Sequence, residues 1–156
     1  MDLHFASVWE AIADIVPERV ALISGDKTTT WGQYDDRGAR IAGLLQAHGL
    51  GPDSKVGIYL HNSNEYVEAQ CGVFKIRGCP VNVNYRYKAD ELVYLLDNAD
   101  AEALIFQACY AMRIWEIRKQ LPKVKLFIQV DDGTEALLDD ALDYEQAIRD
   151  QQPAER

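Results

Sequence analysis

The chain has 156 residues, 48% of them hydrophobic and 26% charged, which suits one folded domain with a sizeable core. Sixteen Lys and Arg against 25 Asp and Glu leave a net charge of −9, which argues against electrostatic binding to DNA, RNA or an anionic membrane, because phosphates would be repelled. No apolar run approaches the ~20 residues of a bilayer span, and Met1-Asp2-Leu3 carries an acid where a secretory leader needs a basic stretch, so residence in the cytoplasm is expected.

Helices and strands alternate along the chain. Residues 7–16 read as a helix with Ser7 as N-cap, Val8, Ile12 and Ile15 on one inward stripe, and Pro17 as the stop. Val20–Ser24 and Thr28–Trp31 flank Gly25-Asp26-Lys27 and read as a hairpin. Thr30 with Gln33 three residues on forms a capping box for a long helix. Its predicted face is Tyr34, Gly38, Ile41, Leu45 and His48, and Gly49 ends it.

After the turn Gly51-Pro52-Asp53-Ser54, the run Val56–Leu60 is apolar throughout, as in a strand covered on both faces. Asn62-Ser63-Asn64 supplies caps for a helix over Glu65–Arg77, apolar on most sides and ended by Gly78. Pro80–Asn84 is a second such strand, Asp90–Asn98 a helix with Leu92, Leu95 and Leu96 inward, and Ala103–Gln107 a third strand. A helix over Tyr110–Leu121 and a strand over Lys125–Val130 follow, with a last amphipathic helix over 142–150. The alternation predicts an α/β fold: a mostly parallel sheet with flanking helices and a small N-terminal hairpin. Apolar density falls near 131. Residues 1–130 read as the α/β body, and residues 131–156, nine acids against two bases, as an acidic, solvated, partly helical tail.

Little chemistry is written in local motifs. Phosphate-loop, dinucleotide, nucleophile-elbow and zincin patterns are all absent. Cys71, Cys79 and Cys109 form no close pair and lie among apolar residues, which predicts reduced core thiols. The pairs Asp35-Asp36, Asp131-Asp132 and Asp139-Asp140 read as solvated, and the three histidines have no metal-ligand spacing. No catalytic residue and no metal ligand is assigned.

The segment Asn82-Val83-Asn84-Tyr85-Arg86-Tyr87-Lys88 stands apart. It follows the C-terminal end of a strand expected to be central, where ligands of open α/β sheets collect. Arg86 can bind a phosphate, and Tyr85 or Tyr87 can stack on an adenine. The competing reading has Asn84 capping a turn while the tyrosines cover the sheet edge.

Four stretches carry a family resemblance: Thr29-Thr30-Trp31-Gly32-Gln33-Tyr34 with Ala42-Gly43-Leu44-Leu45 and Gly49-Leu50; Gly51 to Tyr66; Gly72 to Asn84; and Asp90 to Ala99. Their order and spacing over residues 5–130 resemble the N-terminal region of adenylate-forming acyl-CoA synthetases of the AMP-binding superfamily. The wording Val81-Asn82-Val83-Asn84-Tyr85-Arg86-Tyr87 is most similar to bacterial fatty-acyl or steroid-side-chain CoA ligases.

The resemblance implies the N-terminal subdomain of that fold. It implies an ATP-dependent ligase of a fatty or related carboxylic acid to CoA through an acyl-adenylate, with Mg²⁺ assisting. It also implies that Asn84, Tyr85, Arg86 and Tyr87 form a CoA-side turn. The family's Gly-x-Pro-Lys phosphate loop and later motifs do not occur, so the resemblance implies an incomplete enzyme, inactive alone, with no tightly bound cofactor. Self-association through exposed apolar surface near the 63–77 helix is expected. Two other readings are a stand-alone interaction or dimerisation module and an unrelated flavodoxin-like binding domain.

Overall fold

A computed structural model describes residues 4–156; Met1–Leu3, which carry the reading of the chain start, lie outside the described residues. Helix α1 (Phe5–Ile15) leads to an antiparallel hairpin of β1 (Val20–Ser24) and β2 (Lys27–Thr30). Then follow α2 (Trp31–Ala47), β3 (Lys55–Tyr59), α3 (Asn64–Lys75), β4 (Cys79–Asn82), α4 (Ala89–Asn98) and β5 (Ala101–Gln107). The chain continues through α5 (Ala111–Ile117), β6 (Leu126–Val130), the two-residue strand β7 (Leu142–Asp143) and α6 (Tyr144–Asp150). The main sheet is parallel throughout, in the order β4-β3-β5-β6-β7.

Strand alternation divides the core in two. Val56 and Ile58 of β3, with Ala103 and Ile105 of β5, pack under α2, α3 and α6 around Ile41, Leu45, Val73 and Ile148. Tyr59, Leu104 and Phe106 point the other way, to Leu92 and Leu96 of α4 and Ile114 and Ile117 of α5. Both faces are covered, so these strands are apolar at nearly every position.

The capping box at Thr30 is present, with the Thr30 hydroxyl accepting from Gln33 N at 3.3 Å and Gln33 Oε1 accepting from Thr30 N at 2.9 Å. Helices α2 and α3 touch closely: a Cβ on Gly38 would fall 2.6 Å from Cys71 Sγ, and one on Gly72 would fall 2.6 Å from Ile41 Cβ. Ion pairs frame this seam. Lys75 Nζ, its side chain 5% exposed, donates to Glu10 at 2.6 Å and Asp35 at 2.7 Å. Fully buried Glu68 lies 2.8 Å from Arg37 Nε, meeting it as a charge rather than along an aligned N–H, and accepts from Tyr144 Oη at 3.0 Å. Arg37 also forks onto Glu145.

Several sequence expectations need correction. The inward residues of α1 are Ala6 and Ala13, with half-buried Trp9 between them packed on Tyr34 of α2 and Phe74 of α3; Val8 and Ile15 lie off that stripe and are 45% and 79% exposed. His4, not Ser7, caps α1 through its ring, accepting from Ala6 N. His48 is exposed and caps α2. At the end of α3 the left-handed residue is Arg77 (φ 61°); Gly78 is small because a Cβ would fall 2.9 Å from Ser54 O. Strand β4 lies at the sheet edge rather than its centre, which is where Pro80 costs least. Cys79 and Cys109 are exposed thiols, and only Cys71 is in the core. Asp35 is an ion-pair partner, not a solvated acid.

The segment after 130 is solvated only in part. Residues 131–140 are largely exposed, held by buried Gln129, which donates to Ala136 O and accepts from Leu138 N. Then β7 joins the sheet, and Tyr144 and Ile148 enter the core. Residues 151–156 lie along α2, where Ala154 N donates to Ala39 O and Arg156 forks onto Asp14 and Asp35. Burial alone would raise the Asp35 carboxyl, but bonds from Lys75 and Arg156 outweigh it and hold it below the ordinary Asp value.

Candidate functional site

The chain runs from β3 outward to β4, then crosses back over β3 to β5. The direction of winding therefore reverses between β3 and β5, and in open parallel sheets the crevice at the carboxyl ends of such a strand pair is the usual ligand position. Three segments meet there: Tyr59–His61 after β3, Asn84–Lys88 after β4, and Gln107–Tyr110 after β5.

Aromatic rings and arginines fill this end. Tyr59 and Tyr110 stack with centroids 4.2 Å apart. The His61 ring stands edge-on to Tyr85 (5.2 Å) and Tyr110 (5.5 Å), and its Nε2 is 2.7 Å from the Tyr110 hydroxyl. Gln107 Oε1 accepts from His61 N at 3.0 Å, tying the ends of β3 and β5. Burial pushes the Tyr110 phenol up to about 12, with a further push from Cys109, so it stays protonated at neutral pH.

The Asn84–Tyr87 turn closes on itself. Asn84 Oδ1 accepts from Arg86 N, and Asn84 O accepts from Tyr87 N, both at 3.0 Å. The Tyr87 carbonyl is held from beneath by the Tyr59 hydroxyl, which donates to it at 2.9 Å; Tyr85 O lies 3.4 Å from the same hydroxyl. Arg113, on α5, donates to the same Tyr87 O at 2.7 Å. Arg86 and Tyr85 are exposed, and the Arg86 guanidinium lies 5.5 Å from the Tyr85 ring centroid. Among the described residues Arg86 forms no ion pair; Glu91 instead accepts from Lys88 N. Tyr87 lines a shallow cleft of about 350 Å³ with Asp90, Glu91, Tyr94 and Leu95.

The sequence-predicted residues are thus together: Asn84 caps the turn, and Arg86 is exposed with no ion pair among the described residues. Sequence reasoning missed Tyr59, His61, Tyr110 and Arg113. The first three stand at strand ends, a position that could have singled them out; Arg113 has no local signal. Among the described residues no group of three His, Cys, Asp or Glu side chains could hold a metal, and no glycine-rich phosphate cradle occurs. The residues present do not fit a Mg²⁺–ATP site.

The profile of the AMP-binding enzyme family matches residues 9–156. The chain is 41% identical over 155 residues, 98% of its length, to a 3-oxocholest-4-en-26-oate–CoA ligase of Rhodococcus rhodochrous, of which it covers 28%. It is 39% identical over 156 residues to the medium-chain acyl-CoA ligase Mig of Mycobacterium avium, covering 91% of this chain and 28% of that one. In fold it is similar to an anthranilate CoA ligase solved with anthranoyl-AMP, with a TM-score of 0.88, 23% identity, and coverage of 97% of this chain and 29% of the other. The chain spans about 28% of the length of the relatives it matches.

Proposed function

The chain belongs to the AMP-binding enzyme family, and from that premise we propose that it is the N-terminal part of an AMP-forming acid–CoA ligase. In that reading a fatty or steroid-side-chain carboxylic acid, ATP and CoA give acyl-CoA, AMP and pyrophosphate through an acyl-adenylate, with Mg²⁺ assisting. The observation that carries it is the 41% identity sustained over 155 residues to a CoA ligase. No step of adenylation is assigned to residues of this chain, since they do not fit Mg²⁺–ATP. Their proposed share is the scaffold and the CoA side, where Arg86 offers a guanidinium to a phosphate and Tyr85 a ring to the adenine, on the turn Asn84–Tyr87.

Two further parts belong to the proposal. Three free thiols, two of them exposed, suit a reducing cytoplasm, and no helix among the described residues is long and apolar enough to cross a membrane. Exposed Phe5, Val8 and Ile15 on α1, with Tyr94, Met112 and Trp115 on α4 and α5, offer surface for self-association; α3, the helix expected to do so, is largely covered by α2.

The test is ATP–pyrophosphate exchange in the protein at its full encoded length, with octanoate, palmitate and 3-oxocholest-4-en-26-oate as acids. Exchange that needs the acid, followed by CoA-dependent AMP release, is the expected result. The 156-residue chain alone is expected to give none. A full-length protein that exchanges with no carboxylate contradicts the reading.

A further inference from the structure

Arg113 spends its charge unusually. It has no carboxylate partner among the described residues. One nitrogen, Nη1, donates to both the Tyr59 hydroxyl at 2.5 Å and the Tyr87 carbonyl at 2.7 Å, while the guanidinium lies 5.5 Å from the Tyr110 ring centroid. Tyr59 is fully buried, rooted in the core between α4 and α5, and its hydroxyl donates onto the Tyr87 carbonyl, with the Tyr85 carbonyl 3.4 Å away. The two side chains therefore converge on the Tyr87 carbonyl, one residue past Arg86, from two different elements, 54 residues apart in the chain.

We propose that Arg113, with Tyr59, is the positioning clamp that fixes the Asn84–Tyr87 turn at the carboxyl end of the sheet and so aims Arg86 at the anionic group it binds. The clamp rests on the CoA-side reading for what Arg86 binds, and on geometry alone for the shape of the turn. An exposed turn with one backbone bond and one Asn84 side-chain bond of its own is intrinsically loose. Bonds from a guanidinium are shorter and stronger than neutral ones, and the two from Arg113 fall on the Tyr87 carbonyl and on the phenol that itself bonds that carbonyl. Lysine would deliver a point charge without the planar guanidinium that lies 5.5 Å from the Tyr110 ring centroid. Arg113 touches no part of a ligand here and acts through the turn.

The experiment is hydrogen exchange by mass spectrometry and CoA titration, on the protein at its full encoded length, for wild type, Arg113→Met, Arg113→Lys and Tyr59→Phe. The amides of Arg86 and Tyr87, both bonded within the turn, should exchange about tenfold faster in Arg113→Met, the loss expected of one charge-assisted bond. The amides of β5 should keep wild-type protection. CoA affinity should fall about tenfold with them, and Arg113→Lys should recover part of both. Tyr59→Phe, which keeps the ring and loses only the hydroxyl, should loosen the same two amides. Turn amides protected as in wild type in both Arg113→Met and Tyr59→Phe overturn the clamp. So does loosening of β5 and the turn to the same extent, which would make Arg113 general scaffold. If CoA leaves wild type unperturbed while Arg113→Met still loosens the turn alone, the clamp stands and the CoA-side reading falls.

Discussion

The α2–α3 seam and the turn after β4 use the same kinds of side chain to opposite ends. In the seam every charge is matched: Lys75 has Glu10 and Asp35, Arg37 has Glu68 and Glu145, and Arg156 has Asp14 and Asp35. Backbones approach so closely that only glycine fits at 38 and 72. At the turn, Arg86 is exposed with no ion-pair partner among the described residues, and its neighbours hold backbone rather than charge. Charges matched inside the protein stabilise it, and a charge held out by a fixed backbone is free for a ligand. Substitutions should therefore divide: those in the seam should change stability, and those at Arg86 should change binding.

Gly72→Val should do the most damage. The new side chain must displace Ile41 and crowd Gly38 O, which would lie 3.1 Å from the Cβ alone. A loss of about 3 kcal/mol, the upper end of overpacking costs, is expected, lowering the melting temperature by roughly 6–12 °C in a chain of this size. A thermal melt measures it, and an unchanged midpoint would show that the two helices can separate without penalty.

Lys75→Met comes next. It leaves Glu10 without its cation and Asp35 with Arg156 alone. Breaking a fully buried pair costs about 3–5 kcal/mol; here both acids are partly exposed and one keeps a partner, so about 2 kcal/mol is expected. Urea unfolding at neutral pH reads it directly, and a loss under half that value would mean the pair contributes as a surface one does.

The acid limb of stability follows from Asp35. Its native carboxyl titrates below the ordinary Asp value, chiefly against burial and because of Lys75 and Arg156. The unfolded chain thus takes up the proton first. The stabilisation is complete above the ordinary value of about 3.9 and is lost as pH falls through the lower native value. Asp35→Asn should flatten the drop in urea midpoint between about pH 5 and pH 2. Equal slopes in wild type and variant would assign the acid limb to other carboxylates.

How far the sequence carried depended on the range of the interaction. The capping box at Thr30 and the hairpin around Gly25 were legible because both partners lie within a few residues. The alternation of strands and helices was legible for the same reason. Strand order was not, because it depends on which distant edge a strand finds, and so β4 read as central when it is marginal. The inner face of α1 misread because the stripe that meets α2 and α3 is Ala6, Trp9 and Ala13, whose two alanines signal less than the branched residues Val8 and Ile15 on the outer side. Tyr144 was hidden in an acidic stretch, since one buried phenol bonded to Glu68 does not alter the composition around it. At the turn, Asn84–Tyr87 were singled out by their chemistry. Arg113 was not, because its role exists only once α5 lies beside the end of β3.

Arg86→Ala in the protein at its full encoded length tests the central claim most directly. With no ion pair to break, its thermal stability should stay within about 0.5 kcal/mol of wild type, as for an ordinary surface change. The Michaelis constant for CoA should rise about 10–150-fold, the equivalent of roughly 1.5–3 kcal/mol for one charge-assisted phosphate contact. Acid-dependent pyrophosphate exchange, which precedes CoA binding, should be unchanged. A lowered melting temperature with CoA kinetics as in wild type would contradict the account, and would make the turn after β4 part of the scaffold it was contrasted with.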